Sequence, residues 1–370
     1  MKKKVIFTTM YPKCHNPGLM KDVGQIPNTL GNMKINIEAN LVSCIVDFGD
    51  CNIKLLTGMK IEKIPFILNS DFITGLVYIW KNAKKVDWFN FYHGGRKVYY
   101  WTKLYKLLNP NGKVYLKMDL SYEGCKKYSE NKKELRIFNK VAEAVDIISV
   151  ESQVIKDKVS KFCDADIKLI SNGYFDNGDL VIKTISDRKK EFITVGRLGT
   201  PPKATDMLLE AFFRTSEKHD WNLRLVGPIE KEFGKYVEEY FDRHPGMKER
   251  VFFEGAVFDK KYLYELYNSA RVFILPSRWE GFPLVGPEAA HCGCRMVLTD
   301  IIPPVNELTN NQSFGVSIRT NNIEAIENAI IQETGRVVDE NEPLIISKYA
   351  EDELSWTGIC QKLVEYMKVE

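Results

Sequence analysis

The stretch R-V-F-I-L-P-S-R-W-E-G-F-P-L-V-G-P-E-A-A-H-C-G-C-R, Arg271 to Arg295, decides the fold. Its apolar run Val272–Leu275 reads as a buried strand, and Pro276 and Ser277 end it in a turn. Glu280-Gly281-Phe282 forms a loop. A short helix then starts near Pro283 or Leu284 and stops at Cys292-Gly293, where glycine suits the left-handed position past a helix end. Two acids frame the turn, Glu280 in the loop and Glu288 in the helix, with seven residues between them.

The start of a helix presents unpaired N–H groups and a partial positive charge, so the segment Gly281, Phe282, Pro283, Leu284, Val285 suits a phosphate. Carboxylates accept hydroxyls and repel phosphates. A ligand with a diphosphate centre and hydroxyl-rich ends fits this arrangement, that is, a nucleotide sugar with ribose on Glu288 and sugar on Glu280. Two glutamates at this spacing are common by chance on solvated helices, so the specificity lies in the frame around them. Strand, Pro-Ser, Glu-Gly-Phe-Pro-Leu and Glu-Ala-Ala-x-Cys-Gly together resemble the corresponding segment of the retaining glycosyltransferases of family 4 (glycosyl transferases group 1), which have the GT-B fold.

A second run supports the same reading. Val195-Gly196-Arg197-Leu198-Gly199 ends a strand, and Lys203 precedes a helix opened by Thr205-Asp206. Fixed cations aimed at a departing diphosphate lower the barrier to its release, Arg as a planar fork and Lys as a point charge. Exposed cations at loop edges are common, but G-R-L followed by K-x-T-x-x-L-L-E-A-F is similar to family 4. There the two basic residues hold the donor diphosphate, so the resemblance gives that role to Arg197 and Lys203. It extends from Asn172 to about Trp356 and implies that backbone near Val257 and Phe258 meets the nucleotide base. It also implies that the last helix crosses back onto the first domain. Gly286-Pro287 departs from the aliphatic pair usual in the family, and proline is tolerated in a first helical turn.

Around these runs, strands and helices alternate through all 370 residues. Strands are expected at Lys4–Thr8, Asn40–Phe48, Trp88–Tyr92, Val114–Met118 and Ile147–Val150, short strands or connections at Ile53–Leu56 and Ile64–Leu68, and helices from Asp22 or Gln25 and across 71–84, 96–108, 132–144 and 154–162. The alternation begins again at Phe192–Val195. That pattern predicts an α/β protein of two parallel-sheet, Rossmann-like domains, and the resemblance sets them facing across a cleft. The expected division is 1–172 for an acceptor-binding domain, 173–350 for a nucleotide-sugar-binding domain and 351–370 for the returning helix. No glycine-rich dinucleotide fingerprint follows the first strand of either half, which argues against a dehydrogenase.

The first half diverges more. Family members often carry a His-Asp pair after the fourth or fifth strand. Here Lys117-Met118-Asp119 stands at that place, and His93, ending the preceding strand, is either a substitute or a cap residue. The acceptor loop is expected over Asn16 to Gly24, with Gly18 and Gly24 allowing close backbone approach and Lys21, Asp22, His93 and Asp119 near the acceptor.

Composition is that of a globular protein, 44% hydrophobic and 27% charged. The eight cysteines form no C-x-x-C pair and suit a reducing compartment. His291-Cys292-Gly293-Cys294 lacks the second ligand pair a zinc site needs, and Asp164-Ala165-Asp166 reads as surface, so no metal and no cofactor is expected. The basic start Met1-Lys2-Lys3-Lys4 is followed by too short an apolar run for a signal peptide, and no stretch is long enough to span a bilayer; a cytoplasmic protein is expected.

Net charge is +3, but 28 Lys and Arg against 17 Asp and Glu up to Phe175 give +11, and 24 against 32 beyond it give −8. The basic half is expected to face something anionic. Arg96–Leu108 mixes cations with aromatics at helical spacing. Rings packed on the sheet with cations outward explain much of that pattern, and together with the charge it favours peripheral docking on the inner membrane face; nothing else supports nucleic acid. The residues and the resemblance together imply a retaining, metal-independent hexosyltransferase that uses a nucleoside-diphosphate sugar, UDP-sugar favoured, and a glycan or lipid-linked acceptor in cell-surface polysaccharide or glycoconjugate synthesis. The rival readings are a catalytically silent GT-B subunit that binds glycan or stabilises a partner enzyme, and an epimerase of the same fold.

Overall fold

A computed structural model describes residues 4–14, 16–44, 56–175, 178 and 180–369. The chain divides into two compact units, Met1–Phe175 with Trp356–Glu370, and Asp176–Ser355.

The first unit carries strands β1 (Val5–Met10), β2 (Ile37–Ser43), β3 (Met59–Lys63), β4 (Trp88–Tyr92), β5 (Lys113–Lys117), β6 (Ile147–Val150) and β7 (Ile167–Leu169). They form one parallel sheet in the order β3-β2-β1-β4-β5-β6-β7. Helices α1 (Asn16–Leu19), α2 (Asp22–Asn32), α3 (Asp71–Asn82), α4 (Arg96–Leu108), α5 (Tyr122–Glu130), α6 (Lys132–Ala144) and α7 (Gln153–Val159) connect them. Strand β4, W-F-N-F-Y, is buried throughout because both faces of a parallel sheet are covered. Phe89 and Phe91 enter one core with Trp101, Tyr105 and Phe138; Trp88 and Tyr92 enter the other with Ile26, Ile359 and Leu363. Period-two alternation thus feeds two cores from one strand.

In the second unit β8 (Lys189–Val195), β9 (Asn222–Val226), β10 (Val251–Gly255), β11 (Ala270–Leu275), β12 (Arg295–Thr299) and β13 (Gly315–Ile318) form a parallel sheet in the order β10-β9-β8-β11-β12-β13. Its helices are α8 (Thr205–Thr215), α9 (Lys231–Arg243), α10 (Lys260–Ser269), α11 (Val285–His291), α12 (Val305–Leu308), α13 (Ile323–Gly335) and α14 (Glu342–Glu353). The last helix, α15 (Trp356–Met367), belongs to the first unit, where Trp356, Ile359, Cys360 and Leu363 are buried with Phe7 and Tyr115.

The expected α/β architecture of two parallel-sheet, Rossmann-like domains is therefore the observed one, with several local differences. The strand expected at Asn40–Phe48 runs Ile37–Ser43, and its expected end from residue 45 on lies outside the described residues, as does most of the segment Ile53–Leu56. Ile64–Leu68 is not a strand: β3 lies earlier, and Ile67–Asn69 is a single tight turn. Helices α5 and α14 and strand β13 are additional to the expected set.

The end of α11 shows how the deciding stretch is built. Gly293 sits at φ 75°, its N–H donates to Ala290 O at 2.8 Å, and Cys294 N–H donates to Ala289 O at 2.9 Å. This is the paired closure in which a left-handed residue satisfies the last helical carbonyls.

Candidate functional site

In each sheet the strand order reverses once, between β1 and β4 and between β8 and β11. At such a switch point the connections leave on opposite faces and open a crevice beyond the carboxyl ends of the strands. Several of the residues singled out from sequence lie at these two places.

In the second unit, β8 delivers Arg197 and the turn Pro201–Lys203, and β11 delivers Ser277 and Glu280. Lys203 Nζ lies 2.6 Å from Glu280 Oε1, with the two side chains 20% and 15% exposed. Ser277 Oγ donates to the same oxygen at 2.8 Å. The loop is tied down on both sides: Thr299 Oγ1 and Thr320 Oγ1 donate to Ser277 O at 2.7 and 3.2 Å. Arg278 N–H reaches Pro202 O at 2.7 Å and its guanidinium reaches Asp206 at 2.8 Å. Ala204, between the Lys203 turn and α8, is held at φ 49°, a left-handed conformation costly for a residue with a Cβ. Arg197 is exposed, and no described acid is paired with it. The arrangement is one free cation, one cation buffered by a carboxylate, and a rigid loop carrying that carboxylate.

Glu288 is 8% exposed on α11 and takes an ion pair from Lys260 at the start of α10. Lys260 was not legible in the sequence, because its partner lies 28 positions away. Leu284 stands at the helix start without a side-chain cap, and the Gly286 N–H is taken by Pro283 O at 2.9 Å. Gly281, Phe282, Leu284 and Val285 are half-buried and Pro283 is buried; Val257 is half-buried, whereas Phe258 is 92% exposed just past β10.

In the first unit a cavity of about 230 Å³ opens at the switch point, lined by Tyr11, Lys13, Gly18, Lys21, Asp22, Val23, Tyr92, His93 and Asp119. It gathers five of the six residues expected near an acceptor. The sixth, Gly24, is not among them: a Cβ there would lie 2.2 Å from Leu19 O, so this glycine serves the close packing of α2 on the preceding turn. His93 sits at φ 61° at the end of β4 and lines the cavity, whereas Met118 is fully buried in the core near Gly94 and Phe138. Tyr11 and Tyr92, also missed, are the residues just past β1 and at the end of β4, and their rings meet edge-on at 5.5 Å. Knowing the strand order would have placed them.

Asp22 is 6% exposed; its Oδ1 accepts from Val23 N–H at 3.0 Å, and its Oδ2 has no hydrogen-bond partner among the described residues. Burial raises its pKa and Asp119 pushes the same way, while Lys117, the Val23 N–H and His93 oppose. The Tyr92 hydroxyl, on a residue 5% exposed, also has no partner among the described residues, and burial followed by Asp22 raises its pKa well above the usual tyrosine value. An unpaired buried polar group costs about 1–3 kcal/mol. Lys117 is itself fully buried, donating to Ile170 O at 2.8 Å and to Glu151 at 3.3 Å. Burial pushes the Glu151 carboxyl up to about 8 against the pull of Lys117.

A larger cavity, about 390 Å³, contains Asp164 and Asp166. It lies at the amino ends of β6 and β7, away from either switch point. Two of its acids are already engaged: Lys168 reaches Asp166 at 2.5 Å, and Lys106 and Lys113 both reach Asp146. On α4, Val98, Trp101, Thr102 and Tyr105 are buried, which leaves Tyr100 and Leu107 as its large exposed apolar side chains. No helix among the described residues is long and apolar enough to cross a membrane.

Comparison with known proteins agrees with this geometry. Residues 189–333 match the family described as glycosyl transferases group 1. An uncharacterized glycosyltransferase of Haemophilus influenzae is 33% identical over 137 residues, 36% of this chain and 36% of that protein, so the alignment spans about a third of the relative's length. A glycosyltransferase crystal structure from Rickettsia africae superposes with a TM-score of 0.72 at 17% identity, covering 99% of this chain and 98% of that one. The HepE protein of Anabaena, solved in complex with UDP-glucose, superposes at 0.67 with 16% identity over 99% of each chain. The fold of the chain is thus the GT-B fold of these glycosyltransferases.

Proposed function

We propose, from the match of residues 189–333 to the glycosyl transferases group 1, that the chain is a retaining glycosyltransferase that needs no metal. It moves a hexose-type sugar from a nucleoside diphosphate, UDP favoured, to a glycan or lipid-linked acceptor in glycoconjugate synthesis. The observation that carries the reading is the Lys203–Glu280 pair at the β8/β11 switch point, with Arg197 past the end of β8 and paired with no described acid. In this reading Arg197 and Lys203 take the charge that develops on the departing diphosphate. Glu280 receives hydroxyls of the transferred sugar and keeps Lys203 in position, and Glu288 receives the ribose with Lys260 beside it. Val257, Phe258 and the segment 281–285 flank the nucleotide. Attack and departure take place on one face of the sugar, and the leaving phosphate accepts the acceptor's proton. No side-chain nucleophile is then required.

The acceptor is assigned to the cavity of the first unit, with Gly18, Lys21, Asp22, His93 and Asp119. UDP is favoured because the Anabaena protein was solved with UDP-glucose. Of the membrane-docking expectation, α4 keeps only Tyr100 and Leu107 as large exposed apolar groups, too little to carry docking without the unit's general positive charge. The silent-subunit reading retains one observation in its favour, the buried Met118 where family members often have a histidine.

One assay separates the two. The purified chain, incubated with a panel of UDP-, GDP- and ADP-sugars and water as the acceptor, is expected to release free sugar slowly from at least one donor, followed by chromatography. A panel in which no donor is consumed above the uncatalysed rate rejects the enzyme in favour of the binding subunit.

A further inference from the structure

We propose that Arg278 is a positioning residue of the donor site: it fastens the turn that carries Lys203 to the loop that carries Glu280, and so sets how tightly the second unit holds a diphosphate. This role rests on the donor reading above, in which Lys203 meets the diphosphate, and adds a residue that acts through Lys203.

Lys203 is presented by a short, stiff turn. Pro201-Pro202 fixes φ at two successive positions and offers no N–H at either. Lys203 N–H donates to Thr200 O at 3.0 Å and closes the turn. The carbonyls of both prolines accept from one residue outside it. Arg278 N–H donates to Pro202 O at 2.7 Å, and Arg278 Nη1 donates to Pro201 O at 2.9 Å. Its Nη2 donates to Asp206 Oδ2 at 2.8 Å and its Nε to Asn321 Oδ1 at 3.3 Å. A single guanidinium on the loop after β11 therefore joins the turn after β8, the first turn of α8 and the turn after β13. The planar fork directs these bonds at once, which an ammonium on a flexible stem does not reproduce.

The backbone beside Lys203 depends on this joint. Helix α8 opens without a side-chain cap, on an alanine where Ser, Thr, Asn or Asp is favoured. That alanine, Ala204, is held at φ 49°. Left-handed backbone at a residue with a Cβ persists only where the surroundings over-determine it. Arg278 bonds on both sides of Ala204, to Pro201 and Pro202 before it and to Asp206 after it. It also stands two residues before Glu280, whose Oε1 is 2.6 Å from Lys203 Nζ. One side chain thus fixes the cation against its acid. Fixed charges stabilise a diphosphate because they need not rearrange to meet it, and a shift of about 1 Å in such a group can cost about 10²-fold in rate. An arginine that served the fold alone would lower the melting temperature and leave the folded protein's affinity for a diphosphate unchanged.

The test is a double-mutant cycle on nucleotide affinity, measured by calorimetry on the full chain with circular dichroism melting alongside. UDP, GDP and ADP are titrated into the wild type, and the nucleotide bound most tightly is carried through Arg278→Ala, Lys203→Ala and the double variant. Arg278→Ala is expected to weaken binding about tenfold or more where Lys203 is present, and less than about twofold in the Lys203→Ala background, since contacts that work as one are not additive. Arg278→Lys keeps the charge without the fork; it is expected to lose about threefold or more, again only with Lys203 present, and it decides the matter if the alanine variant does not fold. Unchanged affinity in both Arg278 variants makes the residue structural alone and overturns the proposal. An equal loss in both backgrounds also overturns it, because Arg278 would then act without Lys203. A wild type that binds none of the three nucleotides overturns the donor reading and this role with it, and that failure is seen before any substitution is made.

Discussion

Lys203→Ala is expected to lower donor turnover by about 10²–10³-fold, the range found when one fixed group stabilising a developing charge is removed, with the melting temperature nearly unchanged. The stem of Lys203 runs across Gly196, its Cε 3.0 Å from where a Cβ on that residue would stand, and its ammonium lies 2.6 Å from Glu280. Losing the ammonium removes the cation paired with Glu280. It also leaves Glu280, 15% exposed, with only the Ser277 hydroxyl. The pair is half-screened and lies in a loop held by Arg278 and by Thr299, so its contribution to stability is small while its contribution to charge stabilisation is large. Lys203→Arg is not a conservative substitution here, because the planar guanidinium does not fit a path shaped by an unbranched stem over glycine. Sugar release from the donor, with circular dichroism melting as the control on folding, checks the expectation. Turnover by Lys203→Ala at the wild-type rate would remove Lys203 from the mechanism.

The largest effect on stability is expected at Gly227. Its φ is 138°, and a Cβ there would stand 1.8 Å from Gly196 O, a backbone atom that cannot turn away. Gly227 N–H donates to Gly255 O at 2.8 Å, and Gly196 N–H donates to Val226 O at 2.9 Å. The carboxyl ends of β8, β9 and β10 therefore meet backbone to backbone just where β8 hands the chain to Arg197. Alanine must push β8 and β9 apart. Overpacking costs typically 1–3 kcal/mol, and a side chain in a conformation that favours glycine costs 1–3 kcal/mol more. Together these give on the order of 3–5 kcal/mol, or roughly 10 °C for a unit of this size. Urea unfolding measures it. The fraction that still folds should bind nucleotide poorly, since the strand end carrying Arg197 has moved. A Gly227→Ala protein that unfolds at the wild-type midpoint would show that the strand ends are not packed as described.

Much of this was legible in the sequence, and the parts that were not have identifiable causes. The alternation of short apolar runs with amphipathic helices gave both sheets, since strands such as W-F-N-F-Y, covered on both faces, have no other reading. Strand β3, M-K-I-E-K, was misplaced because it is an edge strand. Lys60 and Lys63 are exposed, so its charge density resembles that of a loop. Helix α5, Y-E-G-C-K-K-Y-S-E, buries only Cys125 and leaves almost no periodic signal. Arg197, Lys203 and Glu280 could be singled out in advance because each follows a recognisable strand. Lys260 and Tyr92 could not, because what they face depends on strand order and on elements far along the chain. Met118 marks the limit of reading by resemblance: the position family members often give to histidine faces the core here, and His93 at the neighbouring strand end reaches the cavity.

The central claim, that the second unit grips a diphosphate between the ends of β8 and β11, is tested most directly by amide hydrogen exchange with and without UDP. The account predicts slowed exchange over residues 196–206 and 277–288, with the first unit's amides unchanged by UDP alone. Slowing confined to other segments, or no change at saturating UDP, would contradict it.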